Sequence, residues 1–261
     1  MLNIAITAGG TSEHIDGVRR LTNISTGLLG WYCLETILDY FCAEKRSDFH
    51  VTYLFTETAF RKALDKEQLP FVDFVPVTDA ESVYHAVDAL TKSVPVDFFI
   101  HSMAISDFTL AYVASTEELA KEINSLPPYS GDAGATVREV LENPENRYSL
   151  TEKIPSDRNI ILGLRRTQKV IPLIKRNNPN TFLVGFKLLK DVPEEELIRV
   201  ANQLAGENGC DMVFANELAQ LGESNHLGML IRSGKVVDRP IGKKQIAEAI
   251  VREMMKQGGN K

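Results

Sequence analysis

The sequence predicts an α/β fold with a doubly wound, mostly parallel, Rossmann-like sheet. Short runs rich in β-branched and aromatic residues alternate with segments of helical spacing, which is typical of right-handed βαβ units. The length of 261 residues, with 44% hydrophobic and 25% charged residues, suits a globular core rather than a disordered or fibrous chain. We therefore expect one domain over residues 1–261.

The strands and helices follow in order along the chain. Strands are predicted at 2–7, 50–56, 71–75, 96–102, 159–164, 181–187 and 211–215. Helices are predicted at 28–45, 57–65, 80–92, 167–176 and 193–208. The rhythm then changes, because two strands at 228–231 and 236–239 flank Ser233-Gly234, which predicts a C-terminal β-hairpin before a last helix at 242–255.

One stretch, 114–152, departs from this alternation. It offers a helix with a capping-box pattern from Ser115 to Glu118, and then runs rich in Pro, Gly, Asn and Ser. A connection of this length is unusual in a compact domain, so we interpret it as a flap over the ligand crevice or an oligomer-contact arm. The alternative is a surface excursion without a role.

Charge and cysteine usage exclude several classes of protein. A net charge of −6 and a pI near 5.5 disfavour a nucleic acid or an anionic membrane as the main partner. Cys33, Cys42 and Cys210 lack metal-ligand spacing and predict reduced thiols. No apolar run approaches the roughly 18 residues of a membrane span, and strand-like sequence begins directly after Met1. We expect a cytoplasmic protein.

The loop at 7–30, TAGGTSEHIDGVRRLTNISTGLLG, joins the first strand to the first helix and should lie at the ligand-binding edge of the sheet. Glycines allow close backbone approach, and polar or cationic side chains beside a helix start favour an anion. The candidates are Gly9, Gly10, Thr11, Arg19, Arg20, Asn23, Ser25 and Thr26. The alternatives are an ordinary glycine turn and simple capping of the helix, since neither G-x-G-x-x-G nor G-K-[ST] is present.

Asp107 follows the fourth predicted strand and should share that edge, where a carboxylate commonly holds Mg²⁺ or a ribose hydroxyl. Its alternative role is a turn or a helix cap.

Six cations lie in the second half of the chain. Some of them should contact the ligand, and the others should be solvated: Lys153, Arg165, Arg166, Lys169, Lys175 and Arg176. The histidine spacings and the serines match no hydrolase motif. Anion-binding features without a nucleophile suit transfer chemistry by positioning and electrostatics.

Several motifs together resemble the phosphopantothenoylcysteine synthetase family. The loop at 7–30 carries the family signature, and weaker matches follow in the same order along the chain. They are 104–108 (A-V-[SA]-D-[FY]), 152–154 (the K-I segment), 164–169 (L-x-x-T-P-K), 184–188 (V-G-F-K-L) and 211–217 (D-x-[IV]-x-A-N-[DE]). The resemblance covers nearly the whole chain.

The resemblance implies a ligase of coenzyme A biosynthesis. The carboxylate of 4′-phosphopantothenate attacks the α-phosphate of CTP, with Mg²⁺ assistance, to give an acyl-cytidylate and pyrophosphate. The amine of L-cysteine then displaces CMP. The resemblance also implies a homodimer, and we expect a separate decarboxylase supplied by another protein.

The resemblance assigns roles by motif position. Asn23, Arg19 and Lys153 are the implied catalytic residues, and Gly9, Gly10, Thr11, Ser25 and Thr26 join Asn23 and Arg19 in the substrate loop. The implied nucleotide-binding residues are Met103, Ala104, Asp107, Lys153, Thr167, Gln168, Lys169, Val170 and Phe186, with Asp107 also a candidate Mg²⁺ ligand.

This chain departs from the family pattern in its lysines. Only Lys153 remains of a lysine cluster, and two further family lysines align with Leu204 and Asn208. Phosphate contacts must then come from other cations, for which Lys187 and Arg165 are candidates. CTP is expected as the nucleotide, and ATP is the alternative. Two other readings also remain, an NAD(P)-dependent Rossmann oxidoreductase and a non-catalytic nucleotide-binding protein.

Overall fold

The computed structural model describes residues 1–126, 133–217 and 228–258. The strands are β1 (Leu2–Ala8), β2 (Ser12–His14), β3 (Arg20–Thr22), β4 (Phe49–Thr56), β5 (Val72–Val77), β6 (Phe98–His101), β7 (Phe108–Ser115), β8 (Ile160–Arg166), β9 (Phe182–Leu189), β10 (Met212–Glu217), β11 (Gly228–Arg232) and β12 (Lys235–Asp238). The helices are α1 (Leu28–Ala43), α2 (Ala80–Ser93), α3 (Thr116–Ser125), α4 (Ala133–Glu142), α5 (Ile171–Asn177), α6 (Glu194–Asn208) and α7 (Lys243–Gly258).

In the described ranges, eight strands form one sheet in the order β12-β11-β10-β9-β6-β1-β4-β5. The six strands from β10 to β5 in this order run parallel, which confirms the predicted mostly parallel α/β sheet. The β11–β12 pair is antiparallel and confirms the predicted hairpin. Ser233 and Gly234 both have positive φ, 48° and 77°, as a tight primed turn requires.

Helices cover both faces of this sheet. On one face α1 and α7 pack on the alternate residues of the central strands, for example Ile4, Ile6 and Phe214. On the other face α2 and α5 cover the intervening residues, and α6 covers β10. This alternation follows from the period of two in a strand and accounts for the doubly wound core. No described helix is long and apolar enough to cross a membrane.

The predicted helix at 57–65 is wrong. After β4 the chain turns, and the Phe60 N–H donates to the Thr26 carbonyl at 2.8 Å. The Phe60 ring meets Trp31 edge-on at 6.3 Å, while the Arg61 guanidinium lies 3.7 Å from the Phe55 ring centroid. Phe60 and Arg61 are neighbours in sequence but contact different aromatic side chains. These tertiary contacts override the helical spacing of the local sequence.

The strand predicted at 159–164 exists as β8, but it does not join the central sheet. It pairs antiparallel with β7, which the sequence reading missed, in a separate two-stranded sheet. A Cβ at Gly163 would lie 2.0 Å from the Tyr112 ring, so this glycine lets the ring lie flat across β8.

The helix predicted at 167–176 is shorter in the structure. The observed helix, α5, begins at Ile171, and residues 167–170 form the loop before it.

The excursion at 114–152 contains α3 and α4 in its described part, and residues 127–132 of its Pro- and Gly-rich run lie outside the described residues. The Ser115 hydroxyl accepts from the Glu118 N–H at 3.1 Å and caps α3, as the capping pattern predicts. Tyr112, Leu119 and Val140 pack together as a small core between β7 and the two helices. The described part of the excursion therefore packs on β7 through its own small hydrophobic core. Its role as flap or dimer arm stays a prediction.

Asp16 fastens the end of this excursion to the first loop. Its buried carboxylate accepts from the backbone N–H groups of Val18 (2.9 Å), Arg19 (2.7 Å) and Ile154 (3.2 Å). Burial alone would raise the pKa of Asp16, but these N–H donors and the Arg19 charge together lower it below its ordinary value. Two segments more than 130 residues apart are therefore joined by one ionised carboxylate.

We predict that Asp16→Asn lowers the melting temperature by several degrees at pH 7, because one oxygen becomes an N–H₂ donor that faces backbone donors. The folded-state pKa of Asp16 is depressed, so its contribution is present above the unfolded pKa of about 4 and is lost as the pH falls through the folded pKa. The gap between wild type and variant should stay constant from pH 7 to about 5 and narrow below about 4. Thermal unfolding followed by circular dichroism measures it, and an unchanged gap down to about pH 2 would contradict the prediction.

Candidate functional site

The candidate site lies where the order of strands reverses. From β1 the chain moves outward through β4 to β5, and it then returns to the other side of β1 and moves through β6 to β9 and β10. The loops that leave two neighbouring strands at such a reversal, here β1 and β6, ordinarily part at the carboxyl edge of the sheet, which is where open α/β sheets form a ligand crevice.

These two loops are joined by a row of hydrogen bonds, which we call the seam, between residues 9–11 and 104–106. The Ala104 N–H donates to the Gly9 carbonyl at 2.9 Å, and the Thr11 N–H donates to the Ala104 carbonyl at 3.0 Å. The buried Thr11 hydroxyl accepts from the Ser106 N–H at 2.9 Å. Thr11 is therefore a structural member of the seam, and its hydroxyl does not face the crevice freely.

The glycines of the first loop are required by close contact. Gly9 has a φ of 100°, which favours glycine. A Cβ at Gly10 would lie 2.2 Å from the carbonyl oxygen of Asn23, so only glycine lets the loop fold back on itself. The glycines of this loop therefore serve its geometry, while the binding of an anion by the loop stays a prediction.

Asn23 lies against the seam. Its N–H donates to the Thr11 carbonyl at 3.1 Å, and its side-chain Nδ2 donates to the Ala104 carbonyl at 3.2 Å. The side-chain Oδ1 has no hydrogen-bond donor among residues 1–126, 133–217 and 228–258, and the side chain is half-buried. Asn23 is thus held at the point where the first loop meets the loop after β6, with an acceptor available.

Ser25 and Thr26 precede α1 but do not cap it. The N-cap is Gly27, with a φ of 66° and no side-chain hydrogen bond, so the capping alternative is wrong for these residues and for Asn23. The two hydroxyl oxygens instead make long local contacts, to Gly27 N at 3.5 Å and to Leu28 N at 3.4 Å. Thr26 is exposed and Ser25 half-buried, which leaves both hydroxyls beside the first turn of α1.

The residues expected to bind a nucleotide come together in one cleft of about 170 Å³. The cleft is closed on one side by the loop before α5, because the Thr167 hydroxyl donates to the Ser106 carbonyl at 2.7 Å and the Thr167 N–H donates to the Asp107 carbonyl at 3.0 Å. Its lining includes Met103, Asp107, Thr167, Gln168, Lys169, Val170 and Phe186. Seven of the nine predicted nucleotide-binding residues therefore share one surface; Ala104 adjoins it through the seam, and Lys153 does not line it.

Asp107 is not a free carboxylate. It is exposed at the rim of the cleft and forms an ion pair with Lys169 Nζ at 2.5 Å. No cluster of three or more His, Cys, Asp or Glu side chains with metal-binding geometry occurs in the described part of the chain. Any Mg²⁺ at Asp107 would have to displace Lys169 and take its other ligands from phosphates and water, which is the usual manner of Mg²⁺ at phosphate sites.

Arg19 and Lys153 are linked through the backbone of Ile154. Arg19 Nη2 donates to the Ile154 carbonyl at 3.1 Å, and Arg19 Nε lies 3.6 Å from the Asp16 carboxylate. Ile154 itself is buried among apolar side chains of β7 and β8, while the neighbouring Lys153 is exposed. The predicted catalytic arginine therefore supports the segment that carries the predicted catalytic lysine.

A second cavity, of about 230 Å³, adjoins the cleft and shares Thr167 and Gln168 with it. Arg165 and Arg166 line it, opposite the buried carboxylate of Glu13, which accepts from the Ala80 N–H at the start of α2 at 2.9 Å. Two arginines thus lie beside the cleft. Lys175, a cation of the same stretch of sequence, instead forms an ion pair with Asp211, with Nζ 2.7 Å from Oδ2.

Five further residues line the cleft and were not among the predicted nucleotide-binding residues: His101, Ile105, Ser106, Ile171 and Leu204. His101 ends β6, and burial lowers its pKa to about 4. A single histidine outside any spacing motif carries no signal of its own in the sequence. Its place at the end of a predicted central strand was the one available indication.

Comparison with known proteins shows the family of this chain. The family model described as DNA/pantothenate metabolism flavoprotein C-terminal domain matches residues 1–126 and 145–257. The coenzyme A biosynthesis bifunctional protein CoaBC of Thermococcus kodakarensis is 26% identical over 254 residues, which are 97% of this chain and 51% of that protein. The chain spans about half the length of the curated relatives it matches.

Solved structures share the fold of this chain. The DNA/pantothenate metabolism flavoprotein from Streptococcus pneumoniae is 27% identical, with a TM-score of 0.78, over 98% of this chain and 100% of that one. Cab2 mutant H337A, in complex with phosphopantothenate-cysteine, shares the fold at 17% identity, with a TM-score of 0.66, over 99% of this chain and 88% of that one. Since the family model covers most of the chain, this protein belongs to the DNA/pantothenate metabolism flavoprotein C-terminal domain family.

Proposed function

We propose that this protein is the ligase that joins 4′-phosphopantothenate to L-cysteine through an acyl-nucleotide, with CTP preferred over ATP. The observation that supports the proposal is the seam, because the loop at 7–30, proposed to bind the substrate, contacts Ala104, whose neighbours Met103 and Ile105 line the cleft proposed to bind the nucleotide. A substrate carboxylate held by the loop would lie next to the α-phosphate of a nucleotide held in the cleft. That adjacency is what the first step needs.

The reaction has two balanced steps. A carboxylate oxygen of 4′-phosphopantothenate forms a bond to the α-phosphorus of CTP, and the bond to pyrophosphate breaks. The amine of cysteine then forms a bond to the acyl carbon, the bond to the CMP oxygen breaks, and the amine loses a proton. Both steps bring anions together or develop charge on oxygen, so preorganised donors and cations are the groups that lower the barrier.

The chain supplies these groups locally, because its overall charge is −6. Asn23 presents its half-buried amide beside Ala104 and is proposed to hold the acyl group. Exposed Lys153 is proposed to meet a phosphate oxygen of the activated intermediate. Arg19, already bonded to Ile154, would assist the second step and keep Lys153 near the first loop. Gly9, Gly10, Ser25 and Thr26 line the proposed substrate side.

The phosphates of the nucleotide require further cations, since two of the family's lysines are Leu204 and Asn208 here. Lys169 at the cleft and Arg165 and Arg166 in the adjoining cavity are the nearest candidates. Phe186 lines the cleft and offers a ring on which the base can stack. Mg²⁺, when bound, would neutralise phosphate charge, and Asp107 is the carboxylate in the cleft that can hold it.

We also propose a homodimer, as the family resemblance implies. Ile161, Leu162 and Leu164 of β8 are each more than a third exposed, and Phe108 of β7 is 48% exposed. This apolar strand pair is a suitable contact for a second copy of the chain. The decarboxylation that follows the ligase step would be supplied by another catalytic domain.

The ligase assay is the direct test. With 4′-phosphopantothenate and CTP, we expect pyrophosphate from the first step, CMP only when L-cysteine is also present, and a lower kcat/KM with ATP. Chromatography of nucleotides and a pyrophosphate assay measure both products. Lack of product with CTP and with ATP overturns the proposal, and a parallel absorbance assay with NAD(P)H would detect the oxidoreductase alternative.

Asn23→Asp should lower kcat by on the order of 10²-fold, the usual loss for one preorganised donor. The new carboxylate would face the Ala104 carbonyl oxygen, where Nδ2 now donates at 3.2 Å. The matched control is Asn180→Asp on the exposed turn before β9, which should turn over like wild type. Equal turnover in both variants, with equal melting temperatures, would remove Asn23 from the site.

Leu164→Glu should convert a dimer to a monomer, because a charge would be buried in the β8 contact. Light scattering after size-exclusion chromatography measures the mass. The control is Leu69→Glu, which alters a side chain of similar exposure outside this strand pair. A wild-type monomer, or a variant that remains dimeric, contradicts the proposed interface.

A further inference from the structure

His101 is a half-buried ionisable side chain that lines the cleft, and the proposed reaction gives it no role. It is the last residue of β6 and lies opposite Thr7 of β1 in the parallel register. Its ring lines the cleft together with Phe186 and Leu204, and it packs edge-on against Phe99 with ring centroids 5.9 Å apart. It is therefore rigidly held at the floor of the region expected to receive the nucleotide.

The hydrogen bonds of Thr7 determine which nitrogen of His101 carries the proton. The fully buried Thr7 hydroxyl accepts from the Met103 N–H at 3.3 Å and lies 3.1 Å from His101 Nδ1. Among the hydrogen bonds of the described residues, Nδ1 is the acceptor available to the hydroxyl proton. A buried hydroxyl proton without an acceptor is costly, so the hydroxyl donates to Nδ1 and the ring proton resides on Nε2.

The ring is also uncharged near neutral pH, since burial lowers the pKa of His101 to about 4. A neutral imidazole with Nδ1 as acceptor offers one donor, the Nε2–H. Within 1–126, 133–217 and 228–258, Nε2 has no protein partner. The floor of the cleft thus presents an unpaired, uncharged N–H group.

We propose that His101 determines specificity in this cleft by donating its Nε2–H to an uncharged acceptor on the base of the bound nucleotide, such as a keto oxygen or a ring nitrogen. The base has such acceptors, whereas the phosphates are better met by exposed cations such as Lys169 at the rim. Phe186 lines the same cleft and would stack on the base that His101 contacts. The inference rests on the proposed function, because it assumes a nucleotide in this cleft.

The test measures Kd for CTP and, separately, for inorganic tripolyphosphate by titration calorimetry. His101→Phe keeps a flat ring but removes the donor, so Kd for CTP should rise about tenfold while Kd for tripolyphosphate stays unchanged. His101→Gln should recover part of the affinity, because its amide can donate. The control is His50→Gln, at the opposite end of the sheet in β4, where the imidazole meets Asp73 at 3.0 Å; it should bind CTP like wild type.

An unchanged Kd for CTP in His101→Phe overturns the inference alone, and so does equal weakening of CTP and tripolyphosphate, which would indicate a merely structural role. Wild-type protein that binds neither CTP nor ATP overturns the proposed function together with the inference.

¹⁵N NMR of the wild-type histidines is a second test, which does not depend on the folding of any variant. We expect His101 to carry its proton on Nε2 and to shift with CTP but not with tripolyphosphate; the opposite tautomer, or no shift, overturns the inference.

Discussion

The seam between residues 9–11 and 104–106 is the contact on which the rest of the site depends. At a reversal of strand order the two outgoing loops would ordinarily part, yet here the β1–β6 pairing continues past the strand ends through the backbone of Gly9, Thr11 and Ala104. The continuation needs a positive φ at Gly9 and no Cβ at Gly10. It leaves Ala104 between the first loop and the cleft, so the two halves of the site have a fixed separation.

Charged side chains near the site are of two kinds: those that support the fold, and those that form exposed pairs a ligand can rearrange. Arg19 is held by Asp16 and by a backbone carbonyl, so it is a support, whereas Lys169 and Asp107 form an exposed pair at the rim of the cleft. Exposed pairs contribute little stability and exchange readily with other ions. An anionic ligand can therefore recruit Lys169, and a cation can recruit Asp107, without unfolding any part of the core.

The excursion at 114–152 packs against β7 and β8, the strand pair that flanks it in sequence, and it does not join the main sheet. β7 and β8 form their own layer, with α3 and α4 on one side and Ile154 on the other. Because Asp16 holds the Ile154 N–H, the segment that carries Lys153 returns to the first loop. A residue far away in sequence is thus brought to the loop at 7–30 by one buried carboxylate.

The sequence by itself determined the fold class and the hairpin at Ser233-Gly234, because alternating periodicity and turn residues are local signals. Most of the predicted residues that line the cleft were implied by motifs that resemble a known family. Local spacing could not show that 57–65 turns back onto Trp31 rather than forming a helix, or that 160–166 pairs with β7 instead of the central sheet. Nor could it identify His101, whose chemistry depends on Thr7, a neighbour across a strand pair. Those features were decided by tertiary structure alone, since each depends on contacts between residues distant in the chain.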